Sequence, residues 1–253
     1  WKLDPVIMQQ LNQKYGPVNW DDPNTNFPLD WRNADSHAIY WAVKGLETVL
    51  EDAYSTEEAH TDRVINHSLQ SLFRRGKTFI YTIPAGSVTD SSSTPTKSAM
   101  KTIFFRPDLR MFESYNKSTL KILEKYRTGK KKTRFQGMQN GHRNMLKNAA
   151  FSFYQAGLIR QAQRIYGQLK QLYPRPEFDV PLVVFAKNRL RYELQSLDIT
   201  SARELIQMML RESYFRFAVR DDDEAANREK LAQGIYDYYQ SEFAIDAEET
   251  ERV

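Results

Sequence analysis

The 253-residue chain contains no cysteine. That excludes a disulfide scaffold, a cysteine nucleophile and thiolate metal sites. Histidine is scarce: His37, His60, His67 and His142 are the four in the sequence, and none forms the HExxH pair of a helical zinc site. No apolar run approaches the ~20 residues that a membrane helix needs, so no transmembrane segment is expected. No secretory apolar core opens the chain. A Walker A loop, a Rossmann glycine set and a GxSxG elbow are all missing. An excess of one charge is missing too, with 36 Lys+Arg against 32 Asp+Glu and a formal net charge of +4. Nucleic-acid binders concentrate their basic residues more strongly, so nucleic acid is not an expected partner. No cofactor and no metal are expected.

Aromatic residues are abundant, with 14 Tyr, 14 Phe and 4 Trp, which argues against disorder. Asp4-Pro5 suits a helix start, because Asp caps free amides and Pro fits a first turn. Gly16-Pro17 ends that helix. Residues 16–35 read as a loop that carries Trp20, Phe27 and Trp31, and aromatics in an irregular segment imply packing. Ala38, Ala42, Leu46, Val49, Leu50 and Ala53 form one helical stripe, and Ile65, Leu69, Leu72 and Phe73 another. Arg74, Arg75 and Gly76 suit a helix C-terminus.

KTFIYTI at 77–83 and KTIFF at 101–105 are β-branched and aromatic, and predict a two-stranded hairpin. The Ser/Thr-rich tract between them has little to bury and is expected to be its mobile tip. Helical spacing returns at Phe112, Tyr115, Thr119, Ile122, Leu123 and Tyr126. The expected domains are a helical region over 1–128 with an aromatic loop and the β-hairpin, a basic linker at 129–141, and a helical domain at 142–253.

Within the last of these, Ala150, Phe153, Gly157, Ala162, Tyr166 and Pro174 recur at fixed offsets. Small residues let two helices approach, aromatics fill the gap, Gly157 permits a turn and Pro174 stops the second helix. Residues 143–176 thereby resemble a tetratricopeptide repeat. Leu146, Ala149 and Leu169 stand where that family carries Trp, Leu and a small residue. The interval from Ala202 and Ile206 reads as a degenerate continuation, with Ser201 and Glu204 as its capping box. Residues 224–243 give a final helix, ahead of a polar tail expected to fray.

The fold class expected is therefore mainly α: antiparallel helical hairpins, a TPR-like α-solenoid, with a small β-hairpin insertion. The resemblance implies a non-enzymatic scaffold that takes a protein or peptide partner in a groove. The groove candidates are Asn144, Lys147, Phe151, Tyr154 and Gln155. A second expectation is a permanent structural subunit of a larger assembly, homo- or hetero-oligomeric and membrane-associated in one version. A third is an enzyme with a pocket around His37, Arg32 and Trp41, although a buried polar knot anchoring a loop explains the same residues. Arg127, Lys130, Lys131, Lys132 and Arg134 are candidate polyanion contacts, against the plainer reading of a solvated linker. His60, His67 and Glu57 are weak candidates for metal binding and are read as surface residues. Asp221, Asp222, Asp223 and Glu224 lack the EF-hand spacing and suit a helix N-terminus instead. A chain that opens on Trp1 suggests a processed or trimmed product. It would be cytoplasmic, or extracytoplasmic and membrane-associated after loss of an N-terminal segment.

Overall fold

The Asp4 carboxylate accepts the Val6 N–H at 2.8 Å, and Pro5 opens helix α1, Pro5–Tyr15. Asp4 also donates its own N–H to the Tyr40 hydroxyl at 3.0 Å, which ties the helix start to the core. At Gly16 the amide closes on the Asn12 carbonyl. A Cβ there would lie 2.2 Å from the Phe27 carbonyl oxygen, so this close approach needs glycine.

The computed structural model describes residues 2–22, 24–48, 56–86, 98–127, 132–194, 199–218, 220 and 222–250. These residues are mainly helical, with nine α-helices and one small antiparallel sheet. α2 is Ala34–Thr48, α3 Thr56–Arg75, α4 Phe112–Arg127 and α5 Lys132–Gln155. α6 is Ile159–Leu172, α7 Leu182–Leu194, α8 Ile199–Ala218 and α9 Asp222–Thr250. The chain divides into two compact units, Trp1–His142 and Arg143–Val253, with the boundary inside α5.

In the first unit, polar side chains tie neighbouring helices in register. Ser71 Oγ donates to Asp35 Oδ2 and Asn33 Nδ2 to the Arg75 carbonyl, so α2 and α3 run in opposite directions. Thr119 Oγ1 donates to Asn66 Oδ1 at 2.7 Å, and Lys125 reaches Asp62, which gives α3 and α4 the same relation. Leu69, Leu72, Met111 and Phe112 are almost wholly buried between them. Strands β1, Lys77–Ile83, and β2, Met100–Arg106, pair antiparallel with Ile80 opposite Ile103. The Ser/Thr-rich tract at 87–97 lies outside the described residues.

Two expectations change here. Residues 132–141, read as linker, are the opening turns of α5. Gly137 and Gly141 suggest a break, but Met138 packs against Ala59, Ile122 and Tyr126, and that burial outweighs the helix cost of glycine. The most deeply buried residues of α2 are Ser36, Ile39 and Tyr40; of the expected stripe Ala42 is buried, while Ala38 and Leu46 are half-buried. Ser36 can be buried because its hydroxyl donates to the Asp30 carbonyl. Val49, Leu50 and Ala53 lie outside the described residues.

In the second unit, α5 ends with the Leu158 N–H on the Phe153 carbonyl and the Gly157 N–H on the Tyr154 carbonyl. This is the paired bonding of a Schellman turn, and Gly157 takes the left-handed φ of +68° that it requires. α8 is described from Ile199, so Ser201, expected as its cap, falls within the helix. Ser213 Oγ donates to the Ala225 carbonyl and Arg228 lies against Met209, so α8 and α9 run in opposite directions. The polar tail is helical to Thr250, and residues 251–253 lie outside the described residues.

Gly157→Ala is expected to destabilise the protein by about 1–2 kcal/mol, because a Cβ disfavours the left-handed region. It would also meet Asn227 Oδ1 at 3.0 Å. Urea unfolding measures the loss, and an unchanged midpoint would contradict the turn geometry.

Candidate functional site

The α5 segment that carries the groove candidates begins just after the unit boundary. Leu146, Ala149 and Ala150 are fully buried and Phe153 nearly so, which fixes the inward face of the helix. Their spacing of i, i+3, i+4 and i+7 is that of one helical stripe. On α6, Ala162, Ile165 and Leu169 are fully buried and Tyr166 is buried. α6 ends at Leu172, just ahead of Pro174, as a residue without an N–H dictates.

Beyond α6, the chain folds back over Tyr166. Its hydroxyl lies 3.0 Å from the Phe178 carbonyl and 3.1 Å from that of Val180, and its ring stacks on Phe185 at 4.8 Å. Burial and the nearby Asp179 hold this phenol above its ordinary pKa. Arg189 on α7 donates to Asn148 Oδ1 on α5 at 3.3 Å. The α5 face is thus braced by residues from α7 and from the turn that precedes it.

The five groove candidates divide. Asn144 is exposed, and Tyr154 and Gln155 are partly exposed. Lys147 leans across the Phe178 ring at 5.8 Å, with Glu177 3.9 Å from its ammonium. Phe151 is buried, so it belongs to the packing and not to the accessible face. Its aromatic character suggested a contact residue, whereas the helix turns it inward. Sequence reasoning also missed exposed aromatic side chains elsewhere on the same unit. Tyr192 on α7, with Tyr214 and Phe217 on α8, are 71%, 70% and 67% exposed.

The polyanion candidates are only partly described. Arg127 is exposed and pairs with Glu124 at 2.8 Å. Lys130 and Lys131 lie outside the described residues, as do the side chains of Lys132 and Arg134. Glu57 is undescribed beyond its backbone, and His60 and His67 are exposed on α3. Among the described residues no group of three or more His, Asp or Glu could hold a metal ion.

His37, Arg32 and Trp41 sit where the aromatic loop meets α2. Asn12 Oδ1 accepts both the Leu29 N–H and the Trp31 indole N–H, pinning the loop to α1. Asp30 takes Arg32 bidentately at 2.8 Å, and hydrogen bonds from Arg32 hold its carboxyl below the usual range despite partial burial. His37 Nε2 lies 2.7 Å from the Trp31 carbonyl. Trp41 is half-exposed, edge-on to Tyr40, with Lys44 5.9 Å from its ring. These bonds fasten the loop.

Charged groups that the sequence hides are buried elsewhere. Lys125 lies between Glu58 and Asp62, and the Tyr126 hydroxyl donates to Asp62 at 3.1 Å. Burial works against the Lys125 charge, but the two carboxylates outweigh it and its pKa stands above the ordinary lysine value. Arg216 is 2% exposed on α8 and donates to Glu212 one turn away at 2.8 Å. His142 is 1% exposed, with Nε2 2.9 Å from Asn116 Oδ1, and burial pushes its pKa down to about 4. No helix is long and apolar enough to cross a membrane among the described residues. No family model, curated protein or solved structure matches the chain.

Proposed function

We propose that the chain is a protein-interaction module whose second unit is a short TPR-like stack of helical pairs. Its partner is a polypeptide held on the accessible side of α5 and on the aromatic shoulders of α7 and α8. The observation that carries this reading is the exposure of Tyr192, Tyr214 and Phe217, each about 70% open to solvent. Aromatic rings left in water are expensive to maintain and are the side chains most often central to binding. The Schellman turn at Gly157 and the buried Ala150 and Ala162 support the repeat-like part of the reading.

The test is site-specific. A photo-crosslinking residue at 214 should capture one defined polypeptide in the native source, and a Tyr192→Ser/Tyr214→Ser/Phe217→Ser variant should lose it at unchanged thermal stability. Capture that survives this substitution would place the contact elsewhere.

A second reading, a permanent subunit of a larger assembly, draws support from the β-ribbon. Ile80 and Ile103 face each other and are half-exposed, with Phe105 beside them on the same face. Sedimentation of the purified chain separates the two, because a lone monomer at micromolar concentration argues against a self-assembling subunit.

A further inference from the structure

Within the first unit, α3, α4 and the opening turns of α5 line a cleft of about 590 Å³. α3 turns Arg63, Asn66, His67 and Gln70 toward it. α4 contributes Tyr115, Thr119 and Ile122, the i, i+4, i+7 positions of one face. α5 contributes Gly137, Met138, Gly141 and His142. The glycines keep the space open. They lie four residues apart on one face of α5, and a Cβ built on either meets nothing within 4 Å. A glycine inside a helix costs about 1 kcal/mol relative to alanine. Neither a positive φ nor a close backbone neighbour requires glycine at these two positions.

The walls are cross-tied by polar bonds: Thr119 to Asn66 and His142 to Asn116. Asn66 Oδ1 is used by Thr119, while its amide N–H groups donate to nothing among the described residues. The charges inside are largely accounted for. Asp62 is paired with Lys125, and burial keeps His142 neutral. Arg63 makes no ion pair among the described residues, and His67 stands one turn along the same helix, both exposed at the cleft. The interior therefore offers amides and hydroxyls, and the mouth offers a guanidinium beside an imidazole. The volume falls within the ~300–1,000 Å³ of small-molecule sites.

We propose that this cleft binds a small phosphomonoester with a hydroxylated body. The phosphate sits at Arg63 and His67, and the amides of Asn66 and Gln70 bond the hydroxyls. A guanidinium fork matches phosphate oxygens, and amide side chains both donate to and accept from hydroxyls. A sugar phosphate and a nucleotide share this chemistry, and the test separates them.

The histidine ring signals of the full chain are followed by NMR during titration with ribose 5-phosphate, AMP and inorganic phosphate. Ribose 5-phosphate or AMP should shift the His67 signals saturably with a Kd below about 1 mM, and inorganic phosphate should bind at least about tenfold more weakly. The tighter of the two organic phosphates identifies the ligand class. Arg63→Gln should weaken binding by about tenfold or more. Gly141→Leu should abolish it while raising Tm, because leucine fills the void and removes a helical glycine. Should that variant fail to fold, Asn66→Asp keeps the acceptor for Thr119, repels phosphate and should abolish binding. The proposal is overturned if neither organic phosphate binds, if inorganic phosphate binds as tightly as both, or if the cleft substitutions leave binding intact.

Discussion

Acidification from pH 6.5 to 4 is expected to cost the native state about 3 kcal/mol through His142 alone, at ~1.4 kcal/mol for each unit of pKa depression. The folded pKa of about 4 lies below the ordinary 6.5 because the ring is buried. An unfolded chain therefore takes up a proton in this window that the folded chain refuses. The contribution is fully present above pH 6.5, is lost as pH falls toward 4, and changes no further below that. His142→Gln keeps a donor for Asn116 and does not titrate. Urea unfolding of both proteins from pH 7 to pH 4 isolates the effect, since other acid-sensitive groups are common to the two. Parallel stability profiles would mean that the imidazole is better solvated than its 1% exposure implies.

Ala162→Trp should destabilise the protein by about 3 kcal/mol, the upper part of the range for overpacking a filled core. Ala162 has no solvent exposure, and its neighbours on the same face, Ile165 and Leu169, have none either. An indole there has nowhere to go without displacing α6 from its packing. Gln163→Trp, one residue along on the exposed side, is the control and should stay within about 0.5 kcal/mol of the parent. Equal midpoints for the two variants in thermal or urea unfolding would contradict the burial of this face.

Much of the local structure was legible in the sequence because periodicity and punctuation agreed. The first strand was expected at 77–83 and runs Lys77–Ile83, and the second extends one residue beyond 101–105 at each end. All six residues expected on the α4 stripe, Phe112 to Tyr126, are buried. Gly157 was expected to permit a turn, and its positive φ does so.

Where the reading failed, a polar or small residue was doing a core residue's task. Ser36 lies in the buried face of α2 once its hydroxyl finds the Asp30 carbonyl, and a hydrophobicity pattern discounts it. Arg216 looks like a surface charge, but Glu212 four residues earlier lets it sit inside. Gly137 and Gly141 look like punctuation, and only the tertiary position of Met138 reveals a helix. Of the candidate sites, the local order of α5 could be read, but not which aromatics the second unit exposes. Phe151 turns inward, while Tyr192, Tyr214 and Phe217 remain in solvent. Exposure at this level depends on neighbours distant in sequence, which periodicity along one helix does not encode.

The bend after α5 has a consequence for handedness. At position 157 the chain takes a conformation that is the mirror image of the ordinary helical one. A d-alanine introduced there by chemical synthesis would occupy its own preferred region, where the l-enantiomer is strained. Chirality at this single carbon would then act as a probe of the backbone, independent of side-chain chemistry.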